Sequence, residues 1–287
     1  MHIFNALRPS QAIKNLLIFV PLFSIGNFVI SEIFILINIF LGFTLVVSST
    51  YILNDILDVE SDKLHPTKKH RAVASGVKSL NYWKVVFLIF FTIGIIFLFI
   101  NSISALFITL IYVLTTISYS TKLKYLKFFD LITISLLFTL RIFIGSVPLS
   151  IPLSEHLIIF VFFTSLSLVA GKKYSILNNN LIQRSRIKTF LQNSYSSSQL
   201  LITISLGFII SLSTYMSWII STKEPFVTRN KFYSLIISFL CLIVFKYFFF
   251  TNTKINKTED IFEFIKTKKF VTFFIVLFLI SALYGLL

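Results

Sequence analysis

The stretch "YILNDILDVESDKLHPTKKHRAVASG", residues 51–76, follows directly on an apolar run and carries four of the chain's eleven acidic residues. Acids at the end of a membrane span are costly, so something must reward them. Asp55, Asp58 and Asp62 are spaced i, i+3, i+7. On a helix this spacing stacks three carboxylates on one face, with Asn54 one position off its edge. Carboxylates so close repel one another, and a divalent cation relieves the repulsion. Hard oxygen ligands with room for water suit Mg²⁺, which takes its remaining ligands from substrate phosphates. Lys68, Lys69 and Arg71, just downstream, are placed to receive the other oxygens of a polyphosphate. Glu60 falls on the opposite, solvated face. A plain solvated loop with internal ion pairs does not explain why three acids begin where a span ends and share a face.

Composition sets the class. Of 287 residues, 56% are hydrophobic, 17% aromatic and 13% charged, and the mean hydropathy is +0.90. Soluble domains carry about 25% charged residues, so the chain reads as an integral membrane protein. The one cysteine, Cys241, excludes an internal disulfide or a cysteine-based metal site. P-loop, Rossmann and zinc patterns are absent from the sequence.

A bilayer core needs about 20 mostly apolar residues per helix. Nine windows qualify, at about 12–30, 33–54, 84–100, 103–120, 128–147, 156–175, 200–221, 232–250 and 269–286. The expected fold is therefore an all-α, nine-span, single membrane domain over residues 1–287. Alternate connections divide lysine and arginine 22 against 3, with Arg141 inside a span. The positive-inside rule puts the N-terminus in the cytoplasm and the C-terminus outside, in the cell's inner (plasma) membrane. The net charge of +15 is thus topology and attraction to anionic lipid, not a nucleic-acid footprint.

These residues also carry a resemblance. "NDILDVESD" matches the N-D-x-x-D-x-x-x-D signature of the UbiA-type intramembrane prenyltransferase superfamily. "HPTKKHRAVASG" resembles the H-P-T-K-x-x-R-P-I-A-S-G continuation of its decaprenyl-phosphate phosphoribosyltransferase branch. "RPSQAIKN", residues 8–15, is similar to that branch's R-P-x-Q-W-x-K-N opening, with Ala12 in place of Trp. "YSTKLKYLKFFDL" (119–131) and "AGKKYSIL" (170–177) resemble its second and third cytoplasmic motifs.

The resemblance implies a nine-helix bundle with a cavity open to the cytoplasm and sideways to lipid. It further implies transfer of 5-phosphoribose from phosphoribosyl diphosphate to a polyprenyl phosphate, feeding cell-envelope sugar donors. Asp55, Asp58 and Asp62, with Asn54 as ligand or orienting neighbour, would hold Mg²⁺ and the diphosphate. Lys68, Arg71, Tyr119 and Lys124 would bind donor phosphate, and Lys14 and Arg141 the lipid phosphate. The alternative is an aromatic prenyltransferase of the same superfamily. Those enzymes use a second acidic cluster, D-x-x-x-D, where this chain offers Asp130 alone, with Ile134 at the second position. For Lys172 and Lys173, positive-inside placement is explanation enough. A transporter is disfavoured because its acids would sit near the bilayer midplane.

Overall fold

The computed structural model describes residues 2–25, 29–63, 68–178 and 194–221, and every described element is helical. The chain divides into two compact units. One comprises Met1–Lys124 with Leu137–Leu153, the other Tyr125–Leu136 with Ser154–Leu287. The first holds α1 (His2–Leu7), a 3₁₀ helix (Pro9–Phe19) running into α2 (Val20–Ile25), α3 (Ile30–Leu57), α4 (Val59–Lys63), α5 (Leu80–Asn101) and α6 (Ile103–Thr121). Helix α7 (Phe129–Ser146) starts in the second unit and ends in the first. The second unit continues with α8 (Glu155–Asn178) and α9 (Ser197–Ser221).

Six of these helices are long and apolar enough to cross a membrane: Ile30–Leu57, Leu80–Asn101, Ile103–Thr121, Phe129–Leu149, Glu155–Leu177 and Ser197–Ser221. They coincide with six of the nine expected spans. The expected spans at 232–250 and 269–286 lie outside the described residues. The expected first span, 12–30, differs in its winding, since its first part, residues 12–19, belongs to the 3₁₀ helix Pro9–Phe19 and only 20–25 to an α-helix. The 3₁₀ rise of about 2.0 Å per residue carries eleven residues roughly 20 Å. With α2 it approaches the ~30 Å of a hydrocarbon core using fewer residues than an α-helix needs.

Local chemistry sets the joints. Ser102 both ends α5 and caps α6, its hydroxyl accepting the Ala105 N–H at 3.2 Å, so these two helices turn back on a single residue. Large apolar side chains such as Phe34, Leu41, Ile89, Ile100 and Phe107 point outward. That is the pattern of a surface that meets lipid rather than water.

Within lipid, helices associate through close packing more than through water exclusion. Helices α3 and α5 meet where two glycines face each other. A Cβ on Gly94 would lie 2.8 Å from the Gly42 carbonyl oxygen, so any side chain there would push the helices apart. Leu36, Ile39, Phe43, Leu98 and Ile144 fill the interior around this crossing. In the second unit α8 and α9 are tied by the Ser167 hydroxyl, which donates to the Ile204 carbonyl at 2.9 Å.

Candidate active site

The acidic stretch folds as a helix, a joint and a short helix. Asp55 sits in the last turn of α3. Asp58 ends that helix at φ −94° and ψ 7°. The i→i+4 register nevertheless continues across the joint. The Asp58 N–H donates to the Asn54 carbonyl at 2.9 Å, and the Asp62 N–H to the Asp58 carbonyl at 2.8 Å. Asp55 and Asp62 therefore stay on one side and are buried, while Asn54 and Asp58 are half-buried.

Arg71 joins the two buried acids. Its Nη1 donates to Asp55 Oδ1 at 3.1 Å and to Asp62 Oδ2 at 2.7 Å. The motif after it explains its placement. Ala72, Val73 and Ala74 are buried, with Val73 packed beside Ile52, Val59 and Trp83, and Gly76 turns the chain at φ +71°. The apolar run is the anchor that delivers the guanidinium.

A second arginine reaches the same acid from the other end of the unit. Arg8 Nη2 donates to Asp55 Oδ1 at 2.5 Å, and the guanidinium lies 5.2 Å from the centre of the Tyr51 ring. Arg8 adopts a left-handed backbone, φ 49° and ψ 61°. Pro9 disfavours the right-handed helical conformation at Arg8 and starts the next helix. The strained joint between α1 and the 3₁₀ helix thus aims the side chain at Asp55. The sequence pattern by itself points to no role for Arg8. Its signal was the R-P pair that opens the first matching motif.

Where three stacked carboxylates were expected, the structure shows two buried acids bridged by Arg71, with Asp58 half-buried at the joint. Among the described residues no three Asp, Glu, His or Cys side chains converge to hold a metal by themselves. Two buried carboxylates sharing one cation position are nevertheless what Mg²⁺ takes from a protein when its other ligands are water and phosphate oxygens. In the structure the Arg71 guanidinium lies between the two carboxylates. Asp55 and Asp62 fit the ion.

The remaining expected residues lie as follows. Lys68 belongs to a short 3₁₀ turn, Lys68–His70, and its side chain lies outside what the structure describes. Tyr119 is half-buried in the last turn of α6, and Lys124 follows in the turn Leu123–Tyr125. Lys14 donates to Gln11 Oε1 at 2.6 Å. Arg141 is only 4% exposed. Its Nε donates to Asn15 Oδ1 at 3.1 Å, Nη1 to the Leu137 carbonyl at 2.8 Å and Nη2 to the Tyr112 hydroxyl at 2.7 Å. The rings of Tyr112 and Phe138 each lie 5.0 Å from the guanidinium. Asn15 in turn donates to Thr44 Oγ1 at 3.0 Å, so one network links the 3₁₀ helix, α3, α6 and α7. All of these acceptors are neutral.

In the second unit Asp130 is fully buried and ion-paired with Lys173. Its Oδ1 accepts the Tyr195 hydroxyl at 2.5 Å, and that hydroxyl accepts the Phe128 N–H at 2.6 Å. The acid that would open a second acidic cluster is thus neutralised from within the protein. Positive-inside placement gave no hint of this partnership for Lys173.

The sequence profile of the UbiA prenyltransferase family matches residues 16–266. The decaprenyl-phosphate phosphoribosyltransferase of Mycolicibacterium smegmatis is 30% identical over 226 residues, covering 76% of this chain and 70% of that protein. The protein of the same name from Corynebacterium glutamicum is 31% identical over 176 residues, 60% of this chain and 53% of that protein. A solved UbiA homolog from Archaeoglobus fulgidus, bound to DMAPP and Mg²⁺, shares the fold with a TM-score of 0.72 at 14% identity, over 99% of this chain and 98% of that one. Motif, helical architecture and profile agree: the chain is a multi-pass membrane protein of the UbiA prenyltransferase family.

Proposed function

We propose that this protein transfers 5-phosphoribose from phosphoribosyl diphosphate to a polyprenyl phosphate of the decaprenyl type, releasing diphosphate, in the synthesis of cell-envelope polysaccharide precursors. The observation that carries the reading is the internal neutralisation of Asp130 by Lys173 and Tyr195. An aromatic prenyltransferase of this superfamily needs an acidic cluster at that position for its prenyl diphosphate. Here the single acid is already paired. The names of the bacterial relatives support the same choice.

Asp55 and Asp62, with Asp58 and Asn54 at the joint, would hold Mg²⁺. When bound, the ion supplies charge neutralisation at the leaving diphosphate. The chain's own cations do the rest of that work. Arg71, Lys68 and Lys124, with the Tyr119 hydroxyl, bind donor phosphate oxygens and stabilise the charge that grows as the C1–oxygen bond stretches. Lys14 and Arg141 take the lipid phosphate; Arg141 brings a buried charge whose described hydrogen-bond acceptors are all neutral. An oxygen of that phosphate attacks C1 from the face opposite the diphosphate, inverting it. The acceptor is already anionic, so no side chain needs to remove a proton. The charge asymmetry of the connections supports a cytoplasmic N-terminus and site, where a soluble donor is available.

The test compares donors. Membranes containing the protein are given either labelled phosphoribosyl diphosphate with polyprenyl phosphate, or labelled prenyl diphosphate with an aromatic acid. Label entering lipid only from the first pair supports the proposal. Product from the second pair alone replaces it with the aromatic reaction.

A further inference from the structure

We infer that Arg8 and Arg71 are resident counter-ions of the acidic pair, which yield Asp55 and Asp62 to the divalent metal and turn to the phosphates of the incoming substrate. This rests on the metal-dependent reading above and deepens it, adding Arg8 to the site and giving both arginines a second position.

Burial makes a resident counter-ion necessary. The side chains of Asp55 and Asp62 are 4% and 1% exposed, and two unpaired carboxylates that deep would be strongly destabilising. Arg71 Nη1 is within hydrogen-bonding distance of both, which is the place of any cation that bridges them. A magnesium ion contacts oxygen at about 2.0–2.1 Å, so it and the guanidinium cannot both occupy that point.

Exposure shows which partner can move. The Arg8 and Arg71 side chains are 28% and 31% exposed, so they sit on the solvent side of the acids. A guanidinium keeps its charge at all working pH values, so each released arginine needs a new anion. Phosphate oxygens match its planar fork. Metal and phosphate-bearing substrate therefore assist each other, because the substrate takes up the cations that the metal displaces.

The full-length protein in detergent micelles tests this without substrate. Thermal unfolding is followed in EDTA and in Mg²⁺ for the wild type, Arg71→Ala and Arg71→Lys, and Mn²⁺ affinity is read by electron paramagnetic resonance. Arg71→Ala should melt below the wild type in EDTA and regain most of the loss in Mg²⁺, while the wild type barely responds. Its Mn²⁺ dissociation constant should fall at least ~10-fold, the value of one charge-assisted contact no longer competing. Arg71→Lys keeps the charge but loses the fork, so tighter Mn²⁺ binding there reports the lost bridge rather than a lost charge. It also serves if Arg71→Ala does not fold. Equal Mn²⁺ affinity in wild type and variants, alongside metal-dependent transfer, overturns the exchange and leaves the reaction standing. Undiminished transfer in EDTA with no Mn²⁺ bound by any form removes the metal reading as well.

Discussion

Fully buried Asp130, at the start of α7, and largely covered Lys173, in the later turns of α8, form an ion pair. The pair gives both residues a structural meaning that neither had alone, and it makes a stability prediction. Removing one partner of a buried pair leaves the other uncompensated, at roughly 3–5 kcal/mol. Lys173→Met should therefore lower the unfolding free energy by about that amount, and Asp130→Asn combined with Lys173→Met should recover much of it. Unfolding in micelles measures both. A Lys173→Met protein as stable as the wild type would show that the pair does not hold α7 to α8.

Turnover should depend on Asp55 and Asp62 through the metal. Asp55→Asn or Asp62→Asn is expected to cut the transfer rate by ~10² or more, as does loss of other charge-stabilising groups at a reacting centre. EDTA should abolish the rate in the wild type. Glu60, exposed and paired with Lys63 at 3.2 Å, provides the contrast. Surface pairs contribute about 0–1 kcal/mol, so Glu60→Gln should leave the initial rate within a few-fold. Equal losses at all three positions would mean that general charge, not a metal site, is being measured.

Assigning Arg141 to the lipid phosphate predicts a separation of Michaelis constants. Arg141→Ala should raise the KM for polyprenyl phosphate by about 10- to 150-fold, the cost of one charge-assisted contact, with the donor's KM unchanged. Each substrate is varied at saturating levels of the other. A rise for phosphoribosyl diphosphate alone moves the arginine to the donor pocket. Normal kinetics with a lowered melting temperature would leave it the purely structural role of holding Asn15, Leu137 and Tyr112 together.

Sidedness can be read from labelling. In a Cys241→Ser background, Ser79→Cys, before α5, should react with an impermeant thiol reagent only from the cytoplasmic face. Ser154→Cys, before α8, should react only from the outside. Both positions are exposed in the structure. The reverse pattern would put the acidic site on the side that lacks cytoplasmic donor.

What was legible in the sequence follows from what a one-dimensional pattern encodes. Six spans could be read because long apolar runs report membrane crossing directly, and Asp55 with Asp62 because a seven-residue spacing survives a break in the helix. The break at Asp58 was hidden, since no proline or glycine marks it. The 3₁₀ winding of Pro9–Phe19 was hidden too, as its residues have no periodicity that distinguishes it from an α-helix. Charge pairing was the least readable feature. Arg8 with Asp55 and Lys173 with Asp130 each join segments far apart in the chain. Only packing brings them together, and lysines near a membrane surface already have a sufficient local explanation. Arg141 stood out because a lone arginine in a span is rare, yet its partner Tyr112 carries no sequence mark, and Asn15 closes the opening motif with nothing in that pattern tying it to Arg141.

The most direct test of the proposed reaction is the stoichiometry of diphosphate release. The purified protein, with Mg²⁺ and polyprenyl phosphate in micelles, is given phosphoribosyl diphosphate labelled in the ribose. Diphosphate and labelled lipid are counted in the same reaction. One diphosphate released for each labelled lipid formed, and neither without the lipid phosphate, is the expected result. Diphosphate release with no label in lipid, or no release from this donor while a prenyl diphosphate is consumed, would contradict phosphoribosyl transfer.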